Sequence, residues 1–384
     1  MENNNPHDSF SGWSGFPPGL AETADTVMSD VFALREGERF LIVTNPGRDT
    51  ALISMALYEA ARRSGGLPTL VFQPEKTLLD FAEEPVIAAL EKEPELFASI
   101  SMNKLGKDRK ALASPYQDGS GNRFDHVFDY NLYGRKTMRA IWSPGITLDM
   151  FLRTAPIDYA LLRQRCRRLT EKLKGASSVH VSAPGGTDIT VQIEGRSAFA
   201  DDGNCRHPAS GGNIPAGEVY ISPVIGASGG VIVFDGSMSL RERDILIRTP
   251  IKAVIENGFV TSVSGGEEAA LLEESIRAGE TSALEFEKKG MLPEGQGGLY
   301  SRNARNLGEL GIGLNPGALI TGYMLEDEKA FRTCHFAIGS NYDDDAPSMI
   351  HLDGVVRDPT ITARYPDGST FIIEENGELA PELM

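Results

Sequence analysis

The stretch RFLIVTNPGRDTALISMALYEAARRSGGLPTLVFQP, residues 39–74, decides the first half of the fold. Residues 39–45 form an apolar run of β type, Pro46-Gly47 a turn, and Asp49-Thr50 a plausible helix cap. The periodic ALISMALYEAARRSGG then ends at glycines, and LPTLVFQP is a second β-type run. Strand, helix, strand with a helical crossover predicts a parallel α/β unit. Working outward, DFAEEPVIAALEKE and YALLRQRCRRLTEKLKGA read as helices and FDHVFDYN as a strand between them. The turn at residues 44–50 sits where such folds often bind phosphate. It lacks the spacing of a P-loop or of G-x-G-x-x-G, so it reads as a plain helix entry.

Near residue 176 the texture changes. From SSVHVSAPGGTDITVQIEGR onward, short alternating segments (EVYISPV, GVIVFDG, KAVIENG, FVTSVSGG, HFAIGSN, SMIHLD, GSTFIIEENG) are separated by Gly, Pro, Asn and Asp. One helix interrupts them, GGEEAALLEESIRAG, whose acidic first turn suits the helix dipole. The expected architecture is an α/β domain with a parallel sheet over 1–176, followed by a mainly antiparallel α+β metal-binding domain over 177–384.

At 384 residues, 41% hydrophobic and 24% charged, the chain has ordinary globular composition. A net charge of −17 disfavours a nucleic-acid backbone or an anionic membrane surface as partner and fits a small or peptide-like ligand. The N-terminal MENNNPHDSFSGWSGFPPG lacks a basic segment followed by an apolar one, and no uncharged apolar run approaches a membrane span. A cytoplasmic protein is expected. Cys166, Cys205 and Cys334 are odd in number and widely spaced, so reduced thiols are expected rather than a disulfide framework or a structural zinc site.

The chemistry is concentrated near the C-terminus, in SMIHLDGVV (348–356). On an extended chain His351 and Asp353 leave the same face and Ile350 and Leu352 the other, so two potential ligands point into one space. The nearest histidine in sequence is His335, in RTCHFAIGSNY. Two glutamates stand in Gly/Pro-framed segments where solubility does not require a carboxylate: Glu218 in NIPAGEVYISP and Glu309 in RNLGELGIGLNPG. Two imidazoles and three carboxylates make the oxygen-rich site that hydrolytic centres with one or two divalent ions use.

At these segments the sequence resembles the M29 family of metallo-aminopeptidases, of the aminopeptidase T and aminopeptidase S type. The resemblance runs through NIPAGEVY, GVIVFDGSM, NLGELGIG with NPGALITGYMLEDEK after it, CHFAIGSNY and IHLD, and covers most of residues 178–375. It implies a pair of divalent ions (zinc, cobalt or manganese) held by Glu218, Glu309, His335, His351 and Asp353, with Tyr342 and Glu309 as catalytic residues. It further implies hydrolysis of the N-terminal peptide bond of a short peptide or aminoacyl amide, and a homodimer. On chemical grounds Asp353, beside His351, is the natural bridge between two ions, and Tyr342 could donate its O–H to a developing oxyanion. The loop YDDDAPSMIH is shorter than the family's and carries Asp343, Asp344 and Asp345, which bears on the substrate pocket.

The competing expectation is an Fe(II)-dependent ring-cleaving enzyme. The 2,5-dihydroxypyridine dioxygenases look like distant relatives that share the H-x-D but hold one iron with two histidines and one carboxylate. In their pattern a histidine stands in place of Glu309 and none at His335. Among other features, Gly226-Ala227-Ser228-Gly229-Gly230 matches a nucleophile elbow but is followed by a strand, so it reads as a hairpin turn. The aspartate run lacks the pattern of a calcium loop. Cys334 alternates away from His335 into the core, and His126, His180 and His207 read as structural or exposed.

Overall fold

In the computed structural model, which describes residues 15–77 and 79–384, the described residues form two compact units, one reaching residue 156 and including 204–214, the other of residues 157–203 with 215–384. The stretch 39–74 behaves as its pattern predicts: strand Arg39–Thr44, helix Arg48–Arg63, strand Leu67–Phe72, the two strands parallel and in register from Arg39 opposite Leu67. They belong to a five-stranded sheet in the order 211–213, 139–144, 96–101, 39–44, 67–72, parallel throughout. Strand Leu96–Ser101 is buried at every position, as a strand covered on both faces must be, and this hides it from a search for alternation.

Two local expectations fail here. Asp49 and Thr50 do not cap their helix, whose N-cap is Gly47; Asp49 accepts from the Leu148 N–H instead, and the Thr50 hydroxyl donates to the carbonyls of Asn45 and Gly47. FDHVFDYN is helical over Val127–Asp129 and continues as a wider turn to Gly134. His126 decides this: its ring nitrogen accepts from the Phe128 N–H and closes a first turn. The neighbouring strand is Arg139–Pro144.

The division of the chain also differs from the expected boundary at 176. Helix Tyr159–Leu173 buries Tyr159, Leu162, Cys166, Leu169 and Leu173, one stripe at helical spacing, against strands Phe199–Asp201, Glu218–Ile221 and Thr370–Glu375. Its partners place it in the second unit.

That unit holds two antiparallel sheets. One has eight strands in the order 259–264, 251–256, 229–234, 188–192, 178–182, 360–364, 370–375, 378–379. The other has seven, in the order 244–246, 237–239, 351–357, 333–339, 307–313, 218–221, 199–201. The interrupting helix runs from Glu267 to Lys288, longer than its sequence pattern, with Glu267 and Glu268 in the first turn. The turn at Gly226–Ser228 joins strands of different sheets, so it is no hairpin, and buried Ser228 accepts from the Gln192 N–H. Cys166, Cys205 and Cys334 are buried and form no disulfide among the described residues.

Among the described residues no helix is long and apolar enough to cross a membrane. The export reading rested mainly on residues 1–14, which lie outside the described residues.

Candidate metal centre

The register of the seven-stranded sheet builds the site. Glu309 lies opposite Ala337 and Ala337 opposite Asp353; Gly311 lies opposite His335, Gly339 opposite His351, and Gly313 opposite Glu218. Side chains alternate with a period of two, so Glu218, Glu309, His335, His351 and Asp353 all leave one face. Gly311, Gly313, Ala337 and Gly339 fill intervening positions on that face and keep its floor low.

A bulge is essential to this arrangement. Pairing runs from Leu307 opposite Ile338 directly to Glu309 opposite Ala337, leaving Gly308 as the extra residue. Unbulged pairing would set Glu309 opposite Phe336, on the other face. Glycine is required there, since a Cβ on residue 308 would lie 2.3 Å from the Ser340 carbonyl oxygen.

Glu309 is the centre of the cluster. Its Oε1 lies 3.1 Å from His335 Nε2 and its Oε2 3.3 Å from His351 Nε2. Asp353 Oδ1 is 3.3 Å from His351 Nε2, and Glu218 Oε2 is 3.4 Å from His335 Nε2. The carboxylate that spans the two imidazoles is thus Glu309. His351 Nδ1 lies 2.9 Å from the Ser340 carbonyl, so this nitrogen donates and Nε2 is presented to the carboxylates.

Tyr342 stands at the rim, 52% exposed, its ring 5.3 Å from that of His351 and 4.9 Å from that of Tyr220. Its pKa is raised by burial of part of the side chain and then by the Glu309 and Asp353 charges, so the phenol keeps its proton near neutrality. The acidic loop is tied down: Asp345 accepts from Arg196 at 2.8 Å and from Asn341 at 2.5 Å.

The electrostatics are those of a dense, buried cluster. Burial by itself raises the pKa of Glu309, but hydrogen bonds from His335 and His351 outweigh it and hold the group at about 2. Burial depresses His335, and its bond to Glu309 with the charge of Glu218 overrides this and lifts it to about 9. His351 moves well upward against burial, driven by Asp353 and Glu309.

Two residues without an expected role complete the cluster, Glu328 and Lys329, with Asp201 behind them. Lys329 is fully buried; its Nζ is 2.5 Å from Glu218 Oε1, 2.6 Å from Glu328 Oε1 and 3.7 Å from Asp201 Oδ2. The sequence DEK gave no sign of this, because a lysine among acids ordinarily marks a solvated helix end.

The donor atoms suit a divalent ion. They form two groups, Glu309–His351–Asp353 and Glu218–Glu328–His335, each with its ligand atoms within 4.8 Å of one another. In the outer group, the buried oxygen Asp353 Oδ1 makes no hydrogen bond among the described residues beyond its 3.3 Å ion-pair contact with His351, and a buried group of this polarity suits a charged partner.

With this geometry in hand, the comparisons bear on ancestry. A family described as NicX, 2,5-dihydroxypyridine 5,6-dioxygenase, matches residues 147–362. The chain belongs to the NicX family. The matched range contains every residue of the cluster. Two solved structures share the NicX-family fold seen here. The 2,5-dihydroxypyridine dioxygenase from Pseudomonas putida KT2440 is 17% identical with a TM-score of 0.69, the alignment covering 95% of this chain and 98% of that one. AmpT from Thermus thermophilus is also 17% identical, with a TM-score of 0.64 over 94% of this chain and 99% of that one. No curated protein matches. The expected likeness to the aminopeptidases therefore holds at the level of fold. This NicX-family chain carries a cluster of potential metal ligands.

Proposed function

We propose that this protein is a metal-dependent hydrolase that cleaves the amide bond beside a free amino group in a short peptide or aminoacyl amide. The observation that carries this reading is the composition of the outer group: Glu309, Asp353 and His351 offer two carboxylates and one imidazole. Oxygen-rich sets of this kind suit hard Lewis-acid ions, whereas iron oxygenases use two imidazoles and one carboxylate. An ion held there would supply Lewis acidity towards the scissile carbonyl and acidify a water.

The chain's own residues do the rest. Glu309, ionised across the working pH range, faces both imidazoles and fixes their orientation. Tyr342, protonated and beside His351, is placed to donate to an oxygen gaining charge. The excess of buried carboxylates favours a substrate bearing an ammonium group. A cytoplasmic homodimer, the arrangement implied by the aminopeptidase resemblance, belongs to the same reading.

A second reading is specifically supported by the family match and by His335. With His351 it flanks Glu309, which supplies two imidazoles and a carboxylate for an Fe(II) ring-cleaving dioxygenase. One experiment separates the two. Protein loaded in turn with zinc, manganese, cobalt and iron(II) is assayed against aminoacyl anilides and dipeptides, and for oxygen uptake with 2,5-dihydroxypyridine. Amine release with a redox-inert ion is expected; iron-dependent oxygen uptake without amine release would replace hydrolase by dioxygenase.

A further inference from the structure

We infer that Lys329 occupies the place of a second cation, so that the centre takes one divalent ion, in the Glu309–His351–Asp353 group, where two were expected. The inference rests on reading the cluster as a metal centre and concerns how many ions it admits. The inner group, Glu218–Glu328–His335, could serve a second ion only through carboxylates that already contact the lysine ammonium at 2.5 and 2.6 Å. Carboxylate oxygens bind zinc at about 2.0–2.2 Å. An ion bonded to Glu218 Oε1 and Glu328 Oε1 would therefore fall in the space that Nζ fills.

The backbone is shaped to deliver the lysine. Lys329 follows the short helix Met324–Asp327 and donates its N–H to the Glu326 carbonyl; its own carbonyl accepts from the Asn315 N–H, and Asn315 bridges to Ala330. This brings the Lys329–Ala330 peptide onto the site strand at Gly313, where a Cβ would lie 2.1 Å from the Ala330 carbonyl oxygen. The lysine side chain is wholly out of solvent, so the ammonium is a fixed part of the centre. It leaves the outer group with three protein ligands and open positions, the pattern of a catalytic ion. His335 then acts on Glu309 as a positioning residue.

The test counts ions. Chelator-stripped full-length protein is titrated with Mn²⁺ or Zn²⁺ alone by calorimetry, and the bound metal is measured by elemental analysis after gel filtration. Wild type is expected to hold one ion per chain, and Lys329→Met two, the second seen also as a further rise in melting temperature between one and two equivalents. Glu218→Gln tests the same point should Lys329→Met fail to fold: it is expected to keep the single ion with less than a tenfold change in affinity, while Asp353→Asn loses it. Two ions in wild type, one ion in folded Lys329→Met, or loss of the ion in Glu218→Gln would each overturn the inference. No substrate is present in these measurements, so an absence of amide hydrolysis would refute the functional reading and leave the ion count standing.

Discussion

Gly311 should be as necessary to the centre as the ligands themselves. It lies opposite His335 across the strands, and a Cβ built on it would stand 2.0 Å from His335 Nε2 and 2.1 Å from Cε1. Ordinary contact for such a carbon begins at 3.4 Å, so in Gly311→Ala the imidazole must move by about 1.5 Å. The backbone of Gly311 is not left-handed, so the effect is one of space alone. The ring is 1% exposed, and its Nε2 sits 3.1 Å from Glu309 and 3.4 Å from Glu218; a shift of this size breaks at least one of these contacts. Breaking a buried ion pair costs about 3–5 kcal/mol. For a unit of this size that corresponds to a fall in melting temperature of roughly 6–20 °C. Losing the partner that orients Glu309 should also weaken metal binding by about 10- to 100-fold. Thermal melting and chelator competition measure the two effects. Gly298→Ala is the control: it lies in helix Gln296–Asn303 with nothing within 4 Å of the new methyl, and should stabilise by up to about 1 kcal/mol. Wild-type melting and metal affinity in Gly311→Ala would refute the account of how the imidazole is seated.

Three further outcomes are expected. Tyr342→Phe should lower kcat by about 10²- to 10³-fold with metal content unchanged, read by steady-state kinetics beside elemental analysis. Metal affinity should rise as pH rises above the ordinary imidazole range, because an ion in the outer group must displace the proton from His351, whose pKa Asp353 and Glu309 raise well above its usual value in spite of burial; calorimetry in buffers of different ionisation enthalpy would show the released protons. The third concerns Glu374, which burial raises to about 8. Between its ordinary 4.5 and about 8 the folded state keeps a proton that the unfolded state has lost, so stability falls as pH rises through that window, by at most about 1.4 kcal/mol per pH unit. Glu374→Gln should flatten the slope in denaturant titrations, and an unchanged slope would show that the carboxyl is ionised in the fold.

The sequence by itself determined much of the second sheet's content and the ligand types. Alternation in HFAIG and IHLD put His335, His351 and Asp353 on defined faces, and their strands hold them on one face, His335 and Asp353 buried and His351 half-buried. Strand–helix–strand at 39–74 likewise follows from local periodicity, because apolar spacing is a property of neighbouring residues. The strands Leu96–Ser101 and Arg139–Pro144 were not legible. Burial on both faces erases alternation, and FDHVFDYN offered a false strand that the His126 cap turned into helix.

Only the tertiary structure decided the relations between strands. The bulge at Gly308 turns Glu309 onto the ligand face, and pairing with Ala337 sets it in line with Asp353. Most of all it decided Lys329. Its charge, size and neighbours in sequence describe a surface residue, and its burial among Glu218, Glu328 and Asp201 depends on three separate segments meeting at one point. The energy of a buried charge is set by whatever surrounds it in space.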